Sequence, residues 1–223
     1  MASVLDRLLA QELESMIREK LGEKTCKKIV DRLHQRYDLS LAESVKDFYT
    51  LDATLREFFA SGADAIEEDF TNRLISINAP ANGRPWITID DRKLAKLIAG
   101  AYGDKEKRLI LEVALRHPLV ISHMLEILGT PKSSGYRLIN ELVEDGLLTE
   151  QGYAENSDGK KVRKYTALFE RVKEELDTNG LIVQVLLKGN ILNESQIIRV
   201  LLRGKLHRSD VPSEMNRCCE FLN

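Results

Sequence analysis

The chain has 223 residues, 43% hydrophobic and 30% charged, with a formal net charge of −2. That length suits one large domain or two small ones, and the composition is that of an ordinary globular protein. No apolar run approaches the ~20 residues that a membrane span needs, and 33 Lys+Arg against 35 Asp+Glu leave the distribution of charge to decide whether nucleic acid is a partner.

The first residues, Met1 to Arg7, lack a basic segment followed by an apolar one, so no signal peptide is expected. Cys26, Cys218 and Cys219 do not make a disulfide framework, and a cytoplasmic location is the simplest expectation. Residues 1–78 read as a helical sensor or interaction domain. Leu5, Leu9, Leu13, Met16, Ile17 and Leu21 recur at helical spacing after a start at Ser3 and Asp6, and Gly22 is a natural stop. A second helix carries Cys26, Ile29, Val30, Leu33 and Tyr37 on one face. Ser40 with Glu43 marks a third start, and the stretches Leu51 to Ala60 and Ala63 to Ile75 complete the set. Eleven basic against 15 acidic residues give this part a balance of −4, which argues against its gripping DNA.

Two prolines and a glycine between Pro80 and Pro85 break the pattern, and residues 79–102 read as a linker with a short helix from Asp91 to Ala101. Residues 103–190 change in organisation. A helix holding Leu109, Leu111, Val113 and Leu115 ends near His117-Pro118, and a short one runs from Val120 to Leu128. Gly129-Thr130-Pro131 is a turn, with Pro131 suited to the first position of a helix to Asp145, closed by Gly146. Leu147 to Tyr153 and Val162 to Leu168 read as two strands around the turn Asn156-Ser157-Asp158-Gly159. The stretch Ala167 to Leu176 reads as helical, Leu181 to Leu187 as a strand, and Asn193 to Leu202 as a last helix in a C-terminal extension and tail, 191–223. The expected class is therefore mainly α, within α+β.

Helix, helix, turn, helix, hairpin is the order of a winged helix-turn-helix. A major groove ~12 Å wide admits one α-helix, whose outward side chains meet base edges. In the helix 131–145, Gly135, Ile139, Leu142 and Val143 are expected inside, while Lys132, Ser133, Ser134, Tyr136, Arg137 and Asn140 are expected outside and near its start. Arg137 suits guanine or a phosphate, and Asn140 suits adenine. Glu141 and Glu144 would repel phosphate, so only the first half of the helix is expected in the groove. Lys160, Lys161, Arg163 and Lys164 put four positive charges into five residues of the hairpin, the sharpest basic cluster in the chain.

These stretches carry a resemblance. Thr130 to Leu148, with its Tyr136-Arg137 pair and Gly-Leu-Leu close, resembles the archaeal winged-helix regulators related to the bacterial ArsR class. Gly103 to Leu111 and Asp158 to Tyr165 fit the same group, and together the similarity covers roughly residues 90–190. Residues 1–78 resemble the helical output domain attached to such regulators in ammonia-oxidising archaea. The resemblance implies a cytoplasmic homodimer on promoter DNA. It departs in one place: the helix Ile121 to Leu128 lacks the paired cysteines of the metal sensors, so metal sensing does not carry over.

Plainer readings stand beside these. The helix 131–145 also suits a protein-docking surface, which makes an adaptor of the transcription machinery the alternative function. A charged hairpin is often only solvated. His34, His117, His123 and His207 are widely spaced, which favours structural roles over a metal site. Trp86 suits an anchor for the linker. Glu67-Glu68-Asp69 read as a solvated face. No phosphate loop, nucleophile elbow or zinc signature is visible, so neither an enzyme nor a cofactor is expected. The expectation is a regulator of transcription that binds double-stranded DNA as a homodimer. Its seam would lie in the first helix or after Leu168, and residues 1–78 would take a protein or small-molecule effector.

Overall fold

The computed structural model of the chain describes residues 4–46, 48–77, 86–156, 158–178 and 180–188. The fold is α+β and mainly helical, with antiparallel sheets. The chain divides into two units, with the boundary between Ser76 and Ile77. Among the described residues no helix is long and apolar enough to cross a membrane. The helix expected over 193–202, the tail beyond it, His207 and the Cys218-Cys219 pair lie outside the described residues.

The first unit is built from helices. α1 (Val4–Tyr37) is interrupted at Gly22, whose φ of 71° and ψ of 158° leave the helical region, so two helices meet there as the sequence suggests. Leu9, Ile17, Cys26, Ile29 and Leu33 bury one face of this run. α2 (Leu41–Lys46) opens with a reciprocal cap: the Ser40 backbone N–H donates to Glu43 Oε2 at 2.8 Å, and the Glu43 N–H donates to Ser40 Oγ at 3.3 Å. α3 (Phe48–Phe59) buries Phe48, Leu51, Thr54 and Leu55. α4 (Gly62–Leu74) buries Ala63, Glu67, Phe70, Thr71 and Leu74, and the chain then enters the short strand β1 (Ile75–Ile77). Glu67 is thus an acid on an inward face. The solvated reading of Glu67-Glu68-Asp69 fails at its first member, because position 67 lies four after Ala63 and three before Phe70 on one helical stripe.

The second unit takes in the stretch expected to be linker. β2 (Ile87–Ile89) and α5 (Arg92–Gly103) belong to its core, with Ile87, Ile89, Leu94, Ala95 and Ile98 buried. Asp91 caps α5 by accepting from the Lys93 and Leu94 N–H groups at 2.9 and 2.8 Å. Asp104 caps α6 (Lys105–Arg116) in the same way, both bonds at 2.9 Å. Then come β3 (Leu119–Val120), α7 (Ile121–Leu128), closed by Gly129 at φ 62°, and α8 (Lys132–Glu144). Pro131 precedes the first helical residue of α8 instead of occupying it.

β4 (Leu148–Glu155) and β5 (Lys161–Ala167) form an antiparallel hairpin, and β3 pairs with the other edge of β5. β6 (Phe169–Asp177) and β7 (Gly180–Leu187) form a second hairpin, with β2 on the far side of β7. The helix expected over 167–176 is therefore a strand. Its Glu, Lys, Arg and Leu content favours helix locally, but β7 is rich in Ile and Val and dictates the partner. Asp177 Oδ1 accepts from the Gly180 N–H at 2.9 Å and fixes the turn, where Gly180 has φ 127°. Trp86 is largely buried, with Lys173 Nζ of β6 lying 4.2 Å from its ring centre.

Two features lock the helices of this unit to its strands and to each other. Thr166 is buried and its Oγ1 donates to the Ala114 carbonyl at 3.0 Å, while Lys188 Nζ donates to Thr166 Oγ1 at 2.5 Å and to the Leu115 carbonyl at 3.1 Å. These bonds satisfy the carbonyl end of α6 with a cation, the sign that the helix dipole favours there. Burial pushes the Lys188 ammonium below its ordinary range. At the crossing of α7 and α8, a Cβ on Gly135 would lie 2.2 Å from Leu125 Cδ2, so a larger residue there must displace the buried Leu125 side chain.

Candidate nucleic-acid interface

α8 has the two faces that its sequence promises. Gly135, Leu138, Ile139 and Leu142 are buried, and Val143 is half-buried. Lys132, Ser133, Tyr136, Arg137 and Asn140 are exposed, and Ser134 is half-buried. The six polar residues therefore share the first three turns, away from the core. Ser134 Oγ donates to the Pro131 carbonyl at 3.1 Å, so this hydroxyl is already engaged. No side chain caps the start of α8.

Arg137 carries a partner that its sequence context did not announce. Its Nη1 lies 2.5 Å from Glu141 Oε1, one helical turn on, and Glu141 Oε2 also meets Lys107 Nζ of α6 at 3.0 Å. Lys107 and then Arg137 hold the Glu141 carboxyl below its usual range. Glu141 is thus a neutralised charge rather than a free repulsive one. The spacing of four residues between Arg137 and Glu141 was the available signal.

The hairpin divides the basic cluster that the sequence presents as one. Successive strand residues point to opposite faces. Lys161 and Arg163 share one face, where their register partners are Glu155 and Tyr153. Arg163 Nη1 lies 2.7 Å from Glu150 Oε1. Lys164 belongs to the other face and is half-buried, with its Cε 3.7 Å from where a Gly152 Cβ would sit. Gly152, at φ 78°, lies in the irregularity between Glu150 and Tyr153. Lys160 is exposed at the tip, where Asn156 Oδ1 accepts from the N–H groups of Asp158 at 3.1 Å and Lys160 at 2.8 Å.

The helix and the hairpin meet across one groove. Ile121, Ser122 and Tyr136 line it from the helices, and Asn156, Val162 and Arg163 line it from the hairpin, around about 580 Å³. Tyr136, 42% exposed, stands between the polar row of α8 and this groove.

A second cluster of charged side chains lies in the first unit. Asp52 of α3 and Asp64 and Glu67 of α4 each bring a carboxylate oxygen within 4.8 Å of the others. Arg56 Nε lies 2.6 Å from Asp52 Oδ1, and Arg56 Nη2 pairs with Asp64. Burial, and then Asp52 beside it, push the Glu67 carboxyl up to about 8. The helical stripe of Ala63, Glu67 and Phe70 was the available signal for this site, while the convergence with Asp52 is supplied by the packing of α3 on α4.

No family model matches the chain, and no significant match is found among curated proteins or among solved structures.

Proposed function

We propose that residues 77–188 hold a winged helix-turn-helix that binds duplex DNA and regulates transcription, as the likeness to ArsR-related regulators implies. The observation that carries this reading is the common groove: the exposed row of α8 and the hairpin β4–β5 flank the same opening, through Tyr136 on one side and Asn156 and Arg163 on the other. α8 enters the major groove with Lys132, Ser133, Tyr136, Arg137 and Asn140 leading. Its uncapped start offers backbone N–H groups to a phosphate. Lys160 and Lys161 at the hairpin tip reach the neighbouring backbone, while Arg163 exchanges Glu150 for a phosphate on docking. Lys164 contributes least, because its stem is packed over the strand. The protein acts as a homodimer, in which two recognition helices multiply affinity through linkage. The first unit takes the effector or partner.

The adaptor reading keeps one specific support. Residues 77–188 carry 17 basic and 16 acidic residues, and Arg137 and Arg163 are both ion-paired. Tyr136 and Tyr153 are exposed at 42% and 60%, which also suits a protein surface.

Fluorescence anisotropy on a random duplex pool at several salt concentrations, with sequencing of the bound fraction, separates the two. A steep salt slope and an enriched two-fold symmetric motif are expected of the dimeric regulator. Absence of binding at low salt would leave the adaptor.

A further inference from the structure

Acidic clusters on protein surfaces are ordinary, and what distinguishes Asp52, Asp64 and Glu67 is the last of them. Glu67 is 2% exposed, and its Oε1 is buried without a hydrogen-bond partner. Buried carboxylates are found paired or coordinating a metal, since an isolated one forfeits its hydration. Arg56 supplies one positive charge to three acids, and it pairs with the two aspartates rather than with Glu67.

We propose that Asp52, Asp64 and Glu67 form a Ca²⁺ site in the helical unit, with Arg56 standing in for the cation until it binds. The donor chemistry selects the class of ion. Three carboxylates and no sulfur or imidazole suit a hard divalent cation. The oxygens lie within 4.8 Å of one another, about twice a Ca–O distance of ~2.4 Å. Mg²⁺, with its ligands at about 2.0–2.1 Å and a stricter octahedron, requires the three oxygens to close in. Access is open on the solvent side, where the Asp64 side chain is 66% exposed and that of Arg56 is 39% exposed. When the ion enters, Arg56 swings outward, Asp52 and Asp64 exchange a guanidinium for the metal, and Glu67 releases its proton to solvent as Oε1 gains the ion as partner. Water completes the shell. This inference is independent of the DNA-binding reading, because every residue in it lies in the first unit.

Isothermal titration of CaCl₂ into the full chain, stripped with EDTA and dialysed, tests it, with MgCl₂ titrated in parallel. One Ca²⁺ per chain is expected, bound more tightly than Mg²⁺. Asp64→Asn should weaken Ca²⁺ binding by about tenfold or more, the scale seen when the surroundings of a metal are altered. It replaces an exposed side chain isosterically, so circular dichroism should match the wild type. Arg56→Gln should tighten binding, since it removes the competing cation. Absence of Ca²⁺ binding at millimolar concentration, a preference for Mg²⁺, or equal affinity in the wild type and Asp64→Asn would overturn the assignment. So would an Arg56→Gln chain that binds no more tightly.

Discussion

The two units handle charge in opposite ways. Residues 1–76 carry 11 basic and 15 acidic residues and turn one carboxylate, Glu67, into the interior. Some of their other charges hold helix to helix, as in Lys20 with Asp69 at 2.5 Å and Arg36 with Glu57. Residues 77–188 are nearly balanced and keep their acids outside the core, which holds Thr166 and admits the stem of Lys188 at the end of α6. Tyr136 of α8 and Asn156 and Arg163 of the hairpin stand around a common groove. The contrast teaches that a net charge says little by itself. The same kinds of side chain gather three carboxylates where α3 meets α4, and place Tyr136, Asn156 and Arg163 around one groove where α8 meets the hairpin.

The strongest way to break that comparison is through Glu67. Its carboxyl moves from 4.5 to about 8 on folding. A raised acid is stabilised in its neutral form, so its contribution is full below pH 4.5 and is lost as pH rises through 8. In cation-free buffer the wild type should lose stability across that window, by an amount on the order of a few kcal/mol. Glu67→Gln should flatten the dependence in denaturant melts. A wild-type curve already flat would put the carboxyl in water and erase the difference between the units.

Arg137→Ala comes next. It should cost about 1–3 kcal/mol on the preferred duplex and relax selectivity at one position. Equal loss on every sequence would reduce Arg137 to a phosphate contact. Gly135→Ala sharpens the comparison from the side of folding. The added methyl meets the buried Leu125, and overpacking of about 1–3 kcal/mol outweighs the helix-propensity gain of about 1. A net loss of up to about 2 kcal/mol is expected in thermal melts, and a gain would mean that α7 and α8 sit further apart. The smallest effect is expected from Lys160→Gln with Lys161→Gln. Binding to all duplexes should weaken together, and the salt slope should fall by about 2. An unchanged slope removes the hairpin from the interface.

Much of the local structure was legible. The capping pair Ser40 and Glu43, the start at Asp91, and the stops at Gly22, Gly129 and Gly146 are where the residue types require them. The candidate interface was half legible. The outward row of α8 follows from a period of 3.6, and that row is exposed or half-buried as expected. The hairpin cations were visible as a cluster but not as two faces, because their division depends on the register of β5 against β4.

What the sequence by itself determined about this protein is therefore the set of features governed by near neighbours: caps, turns, glycine stops and the inward stripe of each helix. Tertiary structure alone decided three things. It made residues 169–177 a strand by giving them β7 as partner, against a helix-favouring composition. It brought Lys107 of α6 to Glu141, which already has Arg137 one turn before it, so that an apparent repulsive charge is neutralised. It brought Asp52 to Asp64 and Glu67 by packing α3 on α4. Each outcome depends on contacts between separate elements, and the free energy of burial and pairing that fixes them exists only once those elements meet.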